Sequence, residues 1–296
     1  MGTQESPLYG RTAVVTGAAR GLGEAIAVRL AERGARVALL GREEGTLAAV
    51  RERLPTESVC WEVDITDDTR MAEVAAEVTE RLGPPSVVVA NAGLAEGGPF
   101  HRSDPAVWRR VVEVNLVGSA ITARVHLPAL FETRGYFLQV ASLASIGASP
   151  MMSAYCASKA GVESFCHSLR AEVAHRRVAV GIAYINWTDT DMIRDVDAHA
   201  VLRELRGHMP PPARKVYPAP YVAERLVRAV ERRRPSVYVP SWLRATQLVR
   251  AAMPPVVTAL SRRELPRLAR EHPFEATGLL GAGGEADASA SRPPGR

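Results

Sequence analysis

The chain has 296 residues, 47% hydrophobic and 23% charged. This balance excludes a wholly disordered polymer, a collagen-like or coiled-coil rod and a disulfide-dense miniature protein. At roughly 100 to 200 residues per domain, the length allows one large domain or two ordinary ones. The formal net charge of +5 is uneven: residues 201–272 hold 15 basic and 5 acidic side chains, +10 in all, so the rest of the chain nets −5. An anionic partner could use such a segment, but a solvated arginine-rich face is the preferred reading. No zinc-finger, RNP or helix-turn-helix pattern points to nucleic acid.

Three irregularly spaced cysteines, Cys60, Cys156 and Cys166, fit neither a disulfide framework nor a CxxC metal site. No metal is expected, and a reducing, cytoplasmic home is. The N-terminus has no basic start and no apolar run, so no secretory signal is expected. Gly2 with Ser6 fits a loose acylation pattern of the kind that short sequences often match by chance. The most apolar long stretch, 111–131, carries Glu113, Asn115, Arg124 and His126, and no transmembrane span is expected from it.

Residues 12–15 form a short β-branched and apolar run. A glycine-rich turn follows, and then 22–33 with Ala25, Ile26, Leu30 and Ala31 at helical spacing. Further strands are predicted at 36–40, 58–63, 86–90, 136–141, 178–184 and 237–239, separated by stretches of helix length. They are continuous apolar runs, as expected when helices cover both faces of a parallel sheet. The expected architecture is therefore a doubly wound α/β domain with ligands at the carboxyl ends of the strands.

This domain is expected to span 1–242. A basic, amphipathic helical extension follows at 243–277, and a Gly/Ala/Ser/Pro-rich tail at 278–296 is expected to be disordered. In the extension Trp242, Leu243, Leu248, Val249, Met253, Val256, Val257 and Leu260 alternate with Arg244, Arg250, Arg262 and Arg263. Pro254 and Pro255 are expected to split it into two short helices. Such a segment can pack on its own domain, which is preferred, cover a pocket mouth, join a neighbouring subunit or lie on an anionic membrane.

The first turn reads Thr16-Gly17-Ala18-Ala19-Arg20-Gly21-Leu22-Gly23, between a strand and a helix. Glycines there let the backbone approach a pyrophosphate lying on the helix N-terminus. About twenty residues on, where an acid would bind the ribose 2′-hydroxyl of NAD, the chain has Arg42. An arginine there suits a 2′-phosphate, with Arg20 as a second jaw, so NADP(H) is preferred over NAD. Farther along, Tyr155 and Lys159 stand four apart on one helical face. A nearby ammonium lowers a tyrosine's pKa towards the working range of a proton shuttle. Of the 37 basic residues only Lys159 and Lys215 are lysine. In so arginine-rich a chain, a lysine at 159 suggests that a compact point charge is needed there.

These motifs together resemble those of the short-chain dehydrogenase/reductase family over roughly residues 8–242. Thr16 to Gly23 resembles its TGxxxGxG turn and Asn91-Ala92-Gly93 its structural NAG. Asp64, with Ile65 beside it, resembles its adenine-contacting acid. Asn115, Ser142, Tyr155 and Lys159 fall on its catalytic tetrad. The resemblance implies a Rossmann fold and a homo-oligomer, dimer or tetramer. It also implies hydride transfer between NADP(H) and a small-molecule carbonyl or secondary alcohol. By it Tyr155 donates or accepts the proton, and Lys159 lowers the Tyr155 pKa and holds the nicotinamide ribose. Ser142 orients the carbonyl, Asn115 supports a water relay and Thr190 contacts the carboxamide.

The chain departs from the family in having Ile185-Asn186 where Pro-Gly is common, and in its long extension. Met151, Met152, Trp187 and residues 192–209 would border a bulky, apolar substrate. Two alternatives are a dinucleotide sensor without turnover and a membrane-surface protein.

Overall fold

The computed structural model describes residues 6–290. Gly2 of the acylation pattern and residues 291–296 of the tail lie outside the described residues. Each of the seven predicted strands is present, with its ends within one residue of the expected ones.

The first half alternates strand and helix: β1 (Thr12–Thr16), α1 (Gly21–Glu32), β2 (Arg36–Gly41), α2 (Glu44–Arg51), β3 (Ser58–Glu62), α3 (Asp68–Leu82) and β4 (Pro85–Ala90). Then come α4 (Pro105–Val112), a π turn at Glu113–Val117, α5 (Gly118–Thr133), β5 (Tyr136–Val140), α6 (Ser153–Val173) and β6 (Ala179–Ile185). A short β7 (Thr188–Asp189), α7 (Asp191–Ala198), α8 (Ala200–Gly207), α9 (Pro211–Arg214) and β8 (Tyr217–Pro218) form a lobe above the sheet. The chain returns through α10 (Ala219–Glu231) to β9 (Ser236–Val239).

The seven long strands are parallel in the order β3-β2-β1-β4-β5-β6-β9, a doubly wound Rossmann sheet whose order reverses between β1 and β4. The period of two along a strand divides the core. Val14, Ala38, Leu40 and Val88 face the α3/α5/α6 layer, while Ala13, Val15, Leu39 and Val89 face α1 and α10. The helical stretch Pro105–Thr133 is long and apolar enough, by length and composition, to cross a bilayer. Half of its most apolar window is buried in the fold, where α5 packs on β4.

Beyond Trp242 the extension forms α11 (Leu243–Thr246), a 3-10 stretch at Gln247–Ala252 and a 19-residue α12 (Met253–Glu271). Pro254 and Pro255 do not split a helix; they begin one, at first-turn positions whose N–H groups have no helical partner anyway. Pro266 is tolerated inside it. The tail also differs from expectation. Its composition reads as disordered, yet residues 281–290 form α13 (Gly281–Ala290). Intrinsic propensity does not explain this helix, because Gly281, Gly283 and Gly284 each cost about 1 kcal/mol relative to alanine. Close packing on α7 does: a Cβ at Gly281 would lie 2.7 Å from Met192 Cα.

Candidate active site

At the carboxyl ends of β1 and β4 the backbone itself builds the wall. Gly17 and Gly21 adopt φ of +63° and +56°, in the left-handed region. A Cβ at Gly23 would fall 2.0 Å from the Gly17 carbonyl oxygen, so only glycine lets α1 start this close to the turn. Arg20, at the N-cap of α1, makes no side-chain capping bond, which leaves the first helical N–H groups for an anion.

Thr16 and Asn91 staple this turn to the next. The Thr16 hydroxyl oxygen accepts the Asn91 and Ala92 N–H groups at 3.0 and 3.1 Å. Asn91 Nδ2 donates to the Thr16 and Gly17 carbonyls at 3.0 and 3.3 Å. Gly17, Arg20, Gly21, Leu22, Gly23, Arg42, Asp64, Ile65, Asn91, Ala92, Gly93 and Thr190 all line one cavity, together with Ser142, Tyr155 and Lys159. Thr16 does not, and at 1% exposure it positions the turn from behind.

Tyr155 and Lys159 lie on α6, with Lys159 Nζ 5.6 Å from the Tyr155 ring centroid. The ammonium donates to the Val140 carbonyl at 3.2 Å and is 4% exposed. Burial pushes Lys159 down to about 8. Burial also pushes Tyr155 up to about 12, with a hydrogen bond from Ser142 pulling the other way. The expected lowering of Tyr155 by Lys159 is not seen in this conformation, where the loss of solvent around the phenol sets the direction. Ser142 lies two residues beyond β5, at the start of a 3-10 turn, where its Oγ accepts the Ala144 N–H at 3.1 Å.

Asn115 sits in the π turn between α4 and α5, a distortion that recurs at functional sites. Its Oδ1 accepts the Leu94 N–H at 2.7 Å, and its Nδ2 donates to the Leu94 carbonyl and to Ser158 Oγ, both at 2.9 Å. Ser158 in turn donates to the Tyr155 carbonyl at 2.8 Å. Asn115 is fully buried, and its side chain fixes the register of α6 against the loop after β4.

Arg20 and Arg42 line the same cavity, and each already meets carboxylates of this chain. Arg20 is paired with Glu43 and stands 3.6 Å from Asp191. Arg42 pairs with Asp287 of α13 and lies 3.5 Å from Asp64. Its companion is Arg110 of α4, which bonds both Asp64 and Asp287. Against the burial that would raise it, the Thr66 amide and hydroxyl and the Arg110 guanidinium hold the Asp64 carboxyl below its ordinary range. Sequence reasoning missed Arg110. No local signal in the sequence marks it; only the fold brings α4 to the end of β2, where Arg110 lines the cavity.

The cavity, ≈ 790 Å³, continues from Tyr155 into an apolar chamber walled by Met152, Trp187, Leu205, Met209, Met253 and Val257. The loop that departs from Pro-Gly is held by Asn186, whose Nδ2 donates to the Ala213 and Lys215 carbonyls at 3.0 and 3.3 Å. The extension is anchored by Arg250, which donates to the buried Glu163 carboxylate at 3.1 and 3.0 Å. Of the four arginines noted in the extension, Arg250 is therefore already engaged by the chain's own core.

Comparison with known proteins agrees with this geometry. The chain is 34% identical over 210 residues to the cis-4-hydroxycyclohexanecarboxylate dehydrogenase of Sinomonas cyclohexanicum, covering 68% of this chain and 84% of that protein. It is 30% identical over 186 residues to the 3-oxoacyl-(acyl-carrier-protein) reductase of Escherichia coli strain K12, covering 62% and 76%. Among solved structures, a metagenomic short-chain oxidoreductase in complex with NADP superposes with a TM-score of 0.59 at 34% identity, over 64% of this chain and 90% of that one. The family model for short chain dehydrogenases matches residues 11–200, the stretch holding the glycine turn, the stapled Asn91 and the Tyr155/Lys159 pair. The chain belongs to the short chain dehydrogenase family.

Proposed function

We propose that the protein is an NADP(H)-dependent oxidoreductase that interconverts a carbonyl and a secondary alcohol on a bulky, apolar substrate. The observation that carries this reading is the single cavity, which joins the glycine turn, the Tyr155/Lys159 pair and an apolar chamber. The residues fit a dinucleotide: the Gly17–Gly23 cradle has no room for a Cβ, and the α1 N-terminus and Arg42 offer anion contacts at its two ends. The NADP complex of the similar metagenomic enzyme supports the choice of cofactor.

When bound, the nicotinamide supplies or accepts the hydride. The chain's own residues move the proton and orient the substrate. Tyr155, pushed up to about 12, is a neutral phenol at pH 7 and so is poised to donate its proton to a carbonyl oxygen. Ser142, hydrogen-bonded to it, holds that oxygen in line. Lys159, at about 8, is mostly ammonium at neutral pH and stabilises the negative charge left on the phenolate. In the oxidative direction Tyr155 takes the alcohol proton instead. Met152, Trp187 and the α12 side chains exclude water from the reacting centre.

We also propose a cytoplasmic homo-oligomer. Leu248, Val249, Val256 and Leu260 of the extension are more than half exposed. This apolar rim beside Arg262 and Arg263 is the surface that would meet an anionic membrane. The test of the main reading is NADPH oxidation measured against a panel of ketones and aldehydes of increasing apolar bulk. The expected result is turnover that favours the bulky members and NADPH over NADH. Absence of turnover with every carbonyl, despite dinucleotide binding, would favour a sensor in its place.

A further inference from the structure

After α12, residues 274–280 run back along the loop that follows β4. The Thr277 N–H donates to the Gly97 carbonyl and the Leu280 N–H to the Ala95 carbonyl, both at 2.9 Å, and Glu96 and Leu279 form an antiparallel bridge. α13 then crosses the mouth of the dinucleotide groove. Its first N–H, at Gly281, meets Asp195 Oδ2 at 2.9 Å, and Gly283, Gly284, Ala286 and Asp287 line the same cavity as the glycine turn. At the far end Asp287 is 3% exposed. Arg110 grips it with both arms of its fork, Nε to Oδ2 at 3.0 Å and Nη2 to Oδ1 at 2.8 Å, while Arg42 Nη1 donates to Oδ1.

A carboxylate held by two guanidinium groups presents the oxygens of a smaller, singly charged copy of a phosphate monoester. It occupies the place where Arg42 is expected to read the cofactor's 2′-phosphate. Among the described residues, Arg42 and Arg110 already face the carboxylates of Asp64 and Asp287, with Glu113 3.9 Å from Arg110. A phosphate monoester carries about −1.5 to −2 at pH 7. Added to the intact cluster it would stand unbalanced beside two carboxylates; with Asp287 removed, the two arginines are free to meet it.

We propose that Arg42 and Arg110 together form the anion site for the 2′-phosphate, and that Asp287 is its intramolecular competitor, so that Asp287 sets how strongly the enzyme prefers NADP(H). This rests on the NADP(H) reading above. Being tethered, the carboxylate competes at a high effective concentration without any ligand in solution. α13 is suited to leaving. Its ten residues fall below the length at which an isolated helix holds, and three of its first four residues are glycine. NADP(H) binding thus exchanges the Asp287 contacts for phosphate contacts and releases the C-terminal end of the helix.

The experiment uses the full chain. Dissociation constants for NADPH and NADH are measured by nicotinamide fluorescence for the wild type, Asp287→Asn and Arg110→Met, and amide exchange is followed over residues 281–290 with each cofactor. The expected results are NADPH binding about tenfold or more tighter in Asp287→Asn, with NADH altered less than about threefold, and NADPH about tenfold weaker in Arg110→Met. NADPH, but not NADH, should speed exchange in α13 of the wild type, a readout that needs no variant to fold. Unchanged or weaker NADPH binding in Asp287→Asn, or slower exchange in α13 with NADPH, overturns the proposal, since α13 would then be a strap over the cofactor. If the wild type prefers NADPH and Asp287→Asn does not tighten it, only this inference fails. If wild type and Asp287→Asn alike show no preference for NADPH, the NADP(H) reading fails with it.

Discussion

Around Gly17 and Gly23 the cavity wall is bare backbone, packed so closely that a single Cβ would stand 2.0 Å from a carbonyl oxygen. Around Met253 and Val257 the same cavity is walled by side chains from an extension fixed to the domain through Arg250 and Glu163. The first wall suits a ligand whose shape does not vary, because backbone N–H groups cannot be retuned by substitution. The second suits a ligand that differs between relatives, because side chains on a peripheral helix can change without disturbing the sheet. Tyr155 and Lys159, the pair proposed to react, line the cavity between the two walls.

The largest expected effect is at that junction. Tyr155→Phe should lose at least ~100-fold in turnover while NADPH binding stays close to wild type, because the lost hydroxyl acts on the substrate and not on the dinucleotide's anchors. Steady-state rates beside fluorescence titration check this, and near-wild-type turnover removes Tyr155 from its role.

On the backbone side, Gly23→Ala should cost about 1 to 3 kcal/mol through overpacking against Gly17, seen as a melting temperature several degrees lower and weaker binding of both NADPH and NADH. Because the strain is not selective, a variant that discriminated newly between the two cofactors would show that this wall does more than make room.

The side-chain wall is tested by deleting residues 244–296. Loss of about 60 Å² of apolar contact to a bulky substrate is worth about 1.5 kcal/mol, so kcat/KM on such substrates should fall about tenfold, with smaller carbonyls affected less. NADPH binding should survive and, with Asp287 gone, tighten, and sedimentation with anionic vesicles at low salt should diminish. Equal loss on small and bulky substrates would mean that the extension supports the fold and does not shape the chamber.

A last effect, on stability and not on catalysis, concerns His126 on α5, fully enclosed and without a hydrogen-bond partner for either ring nitrogen among the described residues. Burial pushes it down to about 4. The unfolded chain binds the proton near pH 6.5 and the folded chain does not, so stability is full above about 6.5 and declines as pH falls towards 4, by on the order of 3 kcal/mol. Denaturant titrations at pH 7 and 5 should show this decline in the wild type and less of it in His126→Leu. An equal decline in both would assign it to other groups.

Strands and the glycine turn were legible because their signals are local. Val14, Val15, Val87, Val88 and Val89 announce buried parallel strands, and the glycines mark the one turn that had to come close to α1. That Tyr155 and Lys159 share one face of α6 was legible from their spacing of one helical turn. Arg110 was not, since nothing near it in sequence says that α4 carries it to the end of β2.

The sequence by itself determined the doubly wound sheet, the glycine turn and the placing of Tyr155 and Lys159 on one helical face, each set by residues within a few positions of one another. Only the tertiary structure decided the pairing of Arg42. Two charges 245 positions apart in the chain, on Arg42 and Asp287, meet because α13 packs on α7 with Gly281 against Met192, and Arg20, the nearer candidate, is taken by Glu43. Composition described the tail as disordered, and α13 contradicts that. Composition could not say that a groove already built by the rest of the chain would supply the contacts that a weak helix lacks.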